Sequence, residues 1–188
     1  MNLPNKLTLG RMVMIPIMIV FLMVDTIPHH YLWALLAFAL ASFTDYLDGH
    51  LARKNHLVTD FGKLMDPLAD KLLVTSALVC FVELELTSAI LVIIILAREF
   101  LVTSIRLVAA GNGKVIAADI WGKAKTVCQM VTILVIFLLQ ELLSSGVLAA
   151  DFPARLIGDI GMYLSVALTL LSGFNYVWNN REVFQDCK

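Results

Sequence analysis

The chain has few charged residues and few cysteines. Only 15% of its 188 residues are charged, whereas about 25% is usual for soluble domains, and this argues against a water-soluble globule. The three cysteines are odd in number and far apart, which indicates neither a disulfide framework nor a thiolate metal site. The formal net charge of -1 lacks the basic surplus typical of nucleic-acid binding, so no nucleic-acid partner is expected.

Apolar residues dominate instead. They make up 60% of the chain, and the mean hydropathy is +0.85. A membrane-spanning helix needs roughly 20 apolar residues, and continuous runs of about this length occupy 7–24, 31–52, 64–82, 87–110, 124–148 and 155–177. Because apolar and polar residues do not alternate within these runs, helices are favoured over the strands of a membrane barrel. The sequence therefore predicts an all-α, polytopic membrane protein with six transmembrane helices in a single domain, 1–188.

The charges between the runs predict the orientation of these helices. With the N-terminus in the cytoplasm, nearly all lysines and arginines fall on the cytoplasmic side, and Arg155 is the exception. The opposite turns are acidic, with Asp25, Glu83, Glu85, Glu141 and Asp151. By the positive-inside rule, both termini are cytoplasmic and the protein lies in the cell membrane.

Four aspartates interrupt the second and third runs. An aspartate at the centre of a span costs about 2.5–3.5 kcal/mol on insertion scales, so we expect a compensating partner. Helical spacing places Asp45 and Asp48 on one face of the second helix, and Asp66 and Asp70 on one face of the third. The neighbouring glycine and alanine positions leave both faces open, so the two faces can meet.

Facing carboxylates are suited to binding a hard divalent cation. Oxygen ligands favour Mg²⁺ or Mn²⁺, and such ions commonly bridge substrate phosphates. Phosphoryl transfer is therefore the favoured chemistry. The alternative is that the four acids are only solvated at the interface, where they would pair with Arg53, Lys63 and Lys71.

The segment 45–70 matches the pattern D-x2-D-G-x2-A-R-x8-G-x3-D-x3-D at every position. In this it resembles the CDP-alcohol phosphatidyltransferase family. The resemblance implies a six-helix membrane enzyme, often a homodimer, with two divalent cations, Mg²⁺ or Mn²⁺, and with Asp70 as the general base. It implies as metal ligands Asp45, Asp48, Asp66 and Asp70. It also implies contacts to CDP-diacylglycerol from Asp48, Gly49, Ala52, Arg53, Gly62, Asn5 and Thr8.

Basic residues in the later runs suggest how an acceptor alcohol is bound. Arg98 lies deep in the fourth run and needs a partner. Glu99 is expected to be a poor one, because adjacent residues diverge by about 100° on a helix, so an anionic substrate is favoured. Arg106 lies on the same side of the predicted fourth helix as Arg98, so both can line one cavity. Lys123 and Lys125 diverge by about 160° on a helix, and Lys123 is favoured to line the same cavity. The alternative is that these basic residues only set the orientation of the helices in the membrane.

Three segments outside the aspartate motif indicate which acceptor alcohol is used. Leu-Pro-Asn-Lys-Leu-Thr at 3–8, Ala-Arg-Glu-Phe at 97–100 and Gly-Lys-Ala-Lys-Thr at 122–126 are similar to bacterial family members whose acceptor is glycerol 3-phosphate. The resemblance implies that Arg98, Arg106, Lys123 and Lys125 bind the glycerol phosphate, with the active site on the cytoplasmic side. Three alternatives stay open: a family member that makes phosphatidylinositol phosphate or cardiolipin, a cation transporter, and a structural membrane scaffold.

Overall fold

A computed structural model describes residues 3–55, 60–111, 120–179 and 181, with side chains for 8–44, 65, 68–111, 120–179 and 181. Within these ranges the chain forms six α-helices and no strand, which confirms the all-α prediction. Each helix end lies within four residues of its predicted position. The helices are α1 (Leu3–Met23), α2 (His30–Asn55), α3 (Asp60–Glu83), α4 (Ala89–Gly111), α5 (Ile120–Ser144) and α6 (Ala154–Asn179).

Three turns reverse the chain through residues with left-handed backbone. His29 has φ 57° between α1 and α2, Glu85 has φ 56° between α3 and α4, and Gly146 has φ 73° after α5. Glycine adopts this conformation without steric cost, and its position just beyond a helix end is the usual one. These compact turns explain why successive apolar runs are separated by only a few residues.

The first compact unit comprises residues 1–84 and 133–154. In it α1 packs against both α2 and α3. Phe137 of α5 contacts two aromatic rings edge-on or tilted, with centroids 5.0 Å from Phe81 and 5.9 Å from Phe38. Such pairs contribute about 0.5–1.5 kcal/mol beyond their buried area. This aromatic core therefore holds together the two helices that carry the aspartate motif.

A buried glutamate fixes the start of α2. The side chain of Glu141 is 8% exposed, and its Oε1 lies 2.6 Å from Nδ1 of His29. Its Oε2 accepts a hydrogen bond of 3.0 Å from the backbone N–H of Leu32. The first N–H groups of a helix have no partner within the helix, and a carboxylate there also interacts favourably with the helix dipole. Glu141 thus acts as a cap supplied by another helix.

The second compact unit comprises residues 85–132 and 155–188. Thr132 of α5 packs tightly on Gly161 of α6, since a Cβ atom on that glycine would lie 2.8 Å from Thr132 Cγ2. Ser165 continues this contact, with its hydroxyl 3.4 Å from that of Thr132. Small residues that let helix backbones approach closely are typical of helix packing in membranes.

Apolar side chains also cover the outside of the helices. Large hydrophobic residues are exposed on all six helices, for example Val13, Trp33, Leu68, Ile93, Val127 and Phe174. Within the part of the chain with described side chains, α5 and α6 are long and apolar enough to cross a membrane. Exposed apolar surface of this extent marks a membrane or interaction surface. The six-span topology and the orientation stay predictions.

Candidate functional site

The aspartate motif lies on two helices of the first unit. Residues 45–53 fall within α2, and 62–70 fall within the N-terminal part of α3. Most of the residues predicted to bind the metal ions or the CDP-lipid lie outside the ranges in which side chains are described. Their arrangement around the ions and the lipid therefore stays a prediction. These residues are Asn5, Asp45, Asp48, Gly49, Ala52, Arg53, Gly62 and Asp66.

Asp70 is the one predicted metal ligand whose side chain is described. It is half-buried on α3, beside the fully buried Ala69. Thr8, predicted to contact the nucleotide lipid, is 1% exposed and lies one turn before Arg11, also 1% exposed. The positive-inside rule predicted that Arg11 lies on the cytoplasmic side, but it did not predict that the side chain is buried. The first turns of α1 therefore contribute polar groups to the interior of the unit that holds the motif.

The donor chemistry of the motif fits a divalent cation. Four carboxylates on two helices of one unit offer hard oxygen ligands of the kind that Mg²⁺ and Mn²⁺ prefer. Among the described side chains no group of three potential ligands occurs, and three of the four aspartates lie outside that set. The metal site thus rests on the motif and its helical placement.

A charged cluster in the second unit joins Arg98, Glu99, Lys125 and Ser172. Arg98 Nη1 donates to Glu99 Oε1 at 2.9 Å, and Lys125 Nζ donates to the same oxygen at 2.7 Å. Arg98 Nη2 donates to the Ser172 hydroxyl at 2.5 Å. The expectation that Glu99 is a poor partner for Arg98 is wrong. The angle between their Cα–Cβ bonds is large, but both side chains are long enough to turn toward one another.

The two lysines of α5 take opposite positions. Lys125 is 4% exposed and belongs to the charged cluster, whereas Lys123 is exposed. The preference for Lys123 as the neighbour of Arg98 is therefore wrong, because the rotation of α5 turns position 125 toward the interior. The polar residues Gln129 and Thr132, which follow Lys125 at i+4 and i+7, share this buried face and are the sequence signal for it.

Two glycines make room for the guanidinium of Arg98. A Cβ atom on Gly173 of α6 would lie 3.0 Å from Arg98 Cγ, and one on Gly122 of α5 would lie 3.6 Å from Nη2. Because the stem of Arg98 is confined between these helices, its head group has few alternative positions. Arg98 is thereby preorganised, with its side chain 11% exposed.

Arg106 interacts with the same face of α6 further along. Its Nε donates to the Tyr176 hydroxyl at 3.2 Å, and its guanidinium carbon lies 5.4 Å from the centre of the tyrosine ring. Such cation–π contacts contribute about 0.5–1 kcal/mol at exposed sites. Since Ser172 and Tyr176 are one turn apart, Arg98 and Arg106 both point toward α6, as the sequence predicted for one face.

The charged cluster places two cations on one carboxylate. Arg98 and Lys125 both contact Glu99 Oε1. Arg98 Nε is buried and has no hydrogen-bond partner among the described residues. An anion with several oxygen acceptors, such as a phosphate group, would pair with this donor and interact favourably with both cations. The cluster is thus suited to bind a phosphorylated small molecule.

Sequence reasoning missed the partners of these cations on α6. Ser165, Thr169, Ser172 and Tyr176 recur at helical spacing in an otherwise apolar segment, and all are buried. Polar residues inside a membrane helix usually face a neighbouring helix or a cavity. This stripe was therefore a signal, although it does not identify Ser172 and Tyr176 as the members that contact the basic residues.

Comparisons with known proteins agree with the motif. The family model described as CDP-alcohol phosphatidyltransferase matches residues 1–171. Several bacterial relatives carry the name CDP-diacylglycerol--glycerol-3-phosphate 3-phosphatidyltransferase. The relative from Bacillus subtilis (strain 168) is 39% identical, over 98% of this chain and 97% of its own length. The relative from Rickettsia felis is 36% identical, over 100% of this chain and 96% of its own length. The relative from Haemophilus influenzae is 38% identical, over 70% of this chain and 73% of its own length. The chain belongs to the CDP-alcohol phosphatidyltransferase family.

Proposed function

We propose that this protein transfers a phosphatidyl group from CDP-diacylglycerol to sn-glycerol 3-phosphate, giving phosphatidylglycerophosphate and CMP. Similarity over nearly the full length to bacterial enzymes named for this reaction supports the proposal. The observation that carries the choice of acceptor is the charged cluster. It brings two cations to one carboxylate, its Lys125 is buried, and its Arg98 is confined beside Gly122 and Gly173.

The aspartates of α2 and α3 are assigned to the CDP-lipid. Asp45, Asp48, Asp66 and Asp70 would hold two divalent cations, Mg²⁺ or Mn²⁺. When bound, such ions neutralise charge on the diphosphate and on the departing CMP. Gly49 and Ala52 would leave space for the nucleotide, and Arg53 would supply a cation for a phosphate oxygen. Gly62, Asn5 and Thr8 complete the residues assigned to this substrate.

Asp70 is assigned as the general base. Its carboxylate would accept the proton of the acceptor's primary hydroxyl, whose oxygen then attacks the lipid-side phosphorus. The bond from this phosphorus to the oxygen of CMP breaks, and CMP leaves. Arg98 and Lys125 would bind the phosphate that the acceptor already carries, and Arg106 would add a cation on the same face. Lys123, whose side chain is exposed like that of Arg106, completes the set predicted from the sequence.

We place the enzyme in the cell membrane as a multi-pass protein with six spans, a single catalytic domain over 1–188, and both termini in the cytoplasm. The acidic turns after α1, α3 and α5 and the positive-inside rule support this orientation. The active site is then cytoplasmic, where the charged substrates are available. A homodimer is proposed from the family resemblance.

An acceptor screen tests the function. Purified protein in detergent is supplied with CDP-diacylglycerol, a divalent cation and one acceptor at a time, and CMP release is measured. We expect release with sn-glycerol 3-phosphate and none without the cation. Release with inositol phosphate or with phosphatidylglycerol in place of glycerol 3-phosphate would contradict the assigned acceptor. Cation flux into sealed vesicles without any CMP release would favour a transporter.

A further inference from the structure

Gln129 is a buried amide that the proposed roles leave unexplained. It lies on α5, is 2% exposed, and its Nε2 has no hydrogen-bond partner among the described residues. Buried polar groups in native proteins are nearly always paired, so an unpaired one requires a reason. A membrane-embedded amide makes this need stronger, since no bulk water reaches the hydrocarbon.

The contacts between α5 and α6 locate this amide. A Cβ atom on Gly122 would lie 3.7 Å from the Ser172 hydroxyl, and Thr132 lies 3.4 Å from Ser165. Gln129 lies between these two contact points on α5. It also follows Lys125 by four residues, so the two side chains share one face about 6 Å apart along the helix axis.

The hydroxyl groups at this level donate their hydrogens to backbone carbonyls, and no hydrogen bond from Gln129 to them is formed among the described residues. Thr132 Oγ1 donates to the Cys128 carbonyl at 2.8 Å, and Thr169 Oγ1 donates to the Ser165 carbonyl at 2.6 Å. The unsatisfied groups of this region are both donors, Arg98 Nε and Gln129 Nε2. Two buried N–H groups among the described residues of α4 and α5, one of them in the charged cluster, thus lack an acceptor oxygen.

The two donors differ in the group that they suit. The guanidinium of Arg98 and the ammonium of Lys125 match a phosphate, because charge-assisted hydrogen bonds are the strong ones. The neutral amide of Gln129 matches a hydroxyl, which can accept a hydrogen bond without carrying charge. The cations and the amide are separated by about one helical turn. This separation is similar to that between the phosphate and a nearby hydroxyl in a small phosphate ester.

We propose that Gln129 is a specificity-determining residue whose Nε2 donates a hydrogen bond to the secondary hydroxyl of the phosphorylated acceptor. The proposal deepens the function proposed above and rests on it. The amide recognises the hydroxyl that does not react, while Arg98 and Lys125 bind the phosphate. A site built to hydrogen-bond a substrate hydroxyl discriminates against an analogue without it, because the donor is then left unpaired.

A pair of acceptors tests this assignment in the intact enzyme. 3-Hydroxypropyl phosphate keeps the phosphate and a primary hydroxyl that can attack, but it lacks the secondary hydroxyl of sn-glycerol 3-phosphate. We expect the wild-type enzyme to prefer glycerol 3-phosphate by about tenfold in kcat/KM. In Gln129→Leu the KM for glycerol 3-phosphate should rise about tenfold, the values for the analogue should stay unchanged, and the preference should disappear.

Gln140→Leu is the matched control, because it makes the same replacement on the same helix at a half-buried position and should keep the wild-type preference. An equal loss for both acceptors in Gln129→Leu, or an unchanged preference, would overturn the proposal. The wild-type comparison decides even if that variant does not fold, since equal use of both acceptors excludes recognition of the secondary hydroxyl. Absence of CMP release with either acceptor would instead overturn the proposed function.

Discussion

Replacing Asp70 with asparagine is expected to lower kcat by about 10²–10⁴-fold, the usual contribution of a general base. The amide has almost the same shape as the carboxylate, but it accepts no proton at neutral pH and is a weaker ligand for a hard cation. Asp70 is half-buried beside the fully buried Ala69 on α3, so this near-isosteric change should leave the packing of that helix intact.

The measurement is CMP release at saturating substrates, together with thermal unfolding of the purified variant. Asp159→Asn is the matched control. It changes an aspartate that is also half-buried in an apolar helix, α6, and that has no assigned role in the reaction. We expect near wild-type turnover from this control. Comparable turnover in Asp70→Asn and the wild type would remove Asp70 from the chemistry, and equal losses in both variants would point to a general effect of membrane aspartates.

Replacing Arg98 with leucine is expected to raise the KM for glycerol 3-phosphate by about 100-fold. Loss of one partner of a buried charged contact costs 2–5 kcal/mol or more, and each 1.4 kcal/mol is about tenfold in affinity. The KM for CDP-diacylglycerol should change little, because the aspartates and not Arg98 are assigned to that substrate. Glu99 keeps its bond to Lys125 at 2.7 Å, so the variant does not leave that carboxylate buried without a partner.

Steady-state kinetics with each substrate varied in turn separate these two effects. Arg155→Leu provides the control, since it removes an exposed arginine near the start of α6 and should leave both KM values unchanged. Arg98→Lys should fall between the leucine variant and the wild type, because an ammonium keeps the charge but not the fork of donors. A KM increase for CDP-diacylglycerol as large as that for glycerol 3-phosphate would contradict the assignment of Arg98 to the acceptor.

The helices were predictable because each one requires a long apolar run, and such runs are visible in the sequence without knowledge of their neighbours. The ends of α5, observed at 120 and 144 against a prediction of 124 and 148, depended on local features. Gly146, with φ 73°, forms part of the turn after Ser144, although residues as apolar as Val147 and Leu148 follow it. Hydropathy alone does not register this conformational signal.

The charged cluster was predictable only in part. Depth in the membrane predicted that Arg98 needs a partner, and Arg98 has one. The identity of that partner did not follow from helical angles, because those describe Cα–Cβ directions and not the reach of a glutamate or an arginine. The choice between Lys123 and Lys125 depended on the rotation of α5 about its axis, which its packing against α6 determines.

The aspartate quartet is the assignment on which the proposed chemistry depends most. Its four positions are predictable from spacing alone, and α2 and α3 do carry the two halves of the motif in one compact unit. The convergence of the side chains on shared ions is a prediction from carboxylate chemistry and from the family resemblance, and it needs a direct test.

Electron paramagnetic resonance of the Mn²⁺-loaded enzyme provides that test. Two ions held by shared carboxylates lie close together and give a spin-coupled spectrum. We expect two Mn²⁺ per chain in the wild type with CDP-diacylglycerol present, a coupled signal, and loss of this signal in Asp66→Asn. Binding of Mn²⁺ that persists unchanged when Asp45, Asp48, Asp66 and Asp70 are all replaced by asparagine would contradict the account.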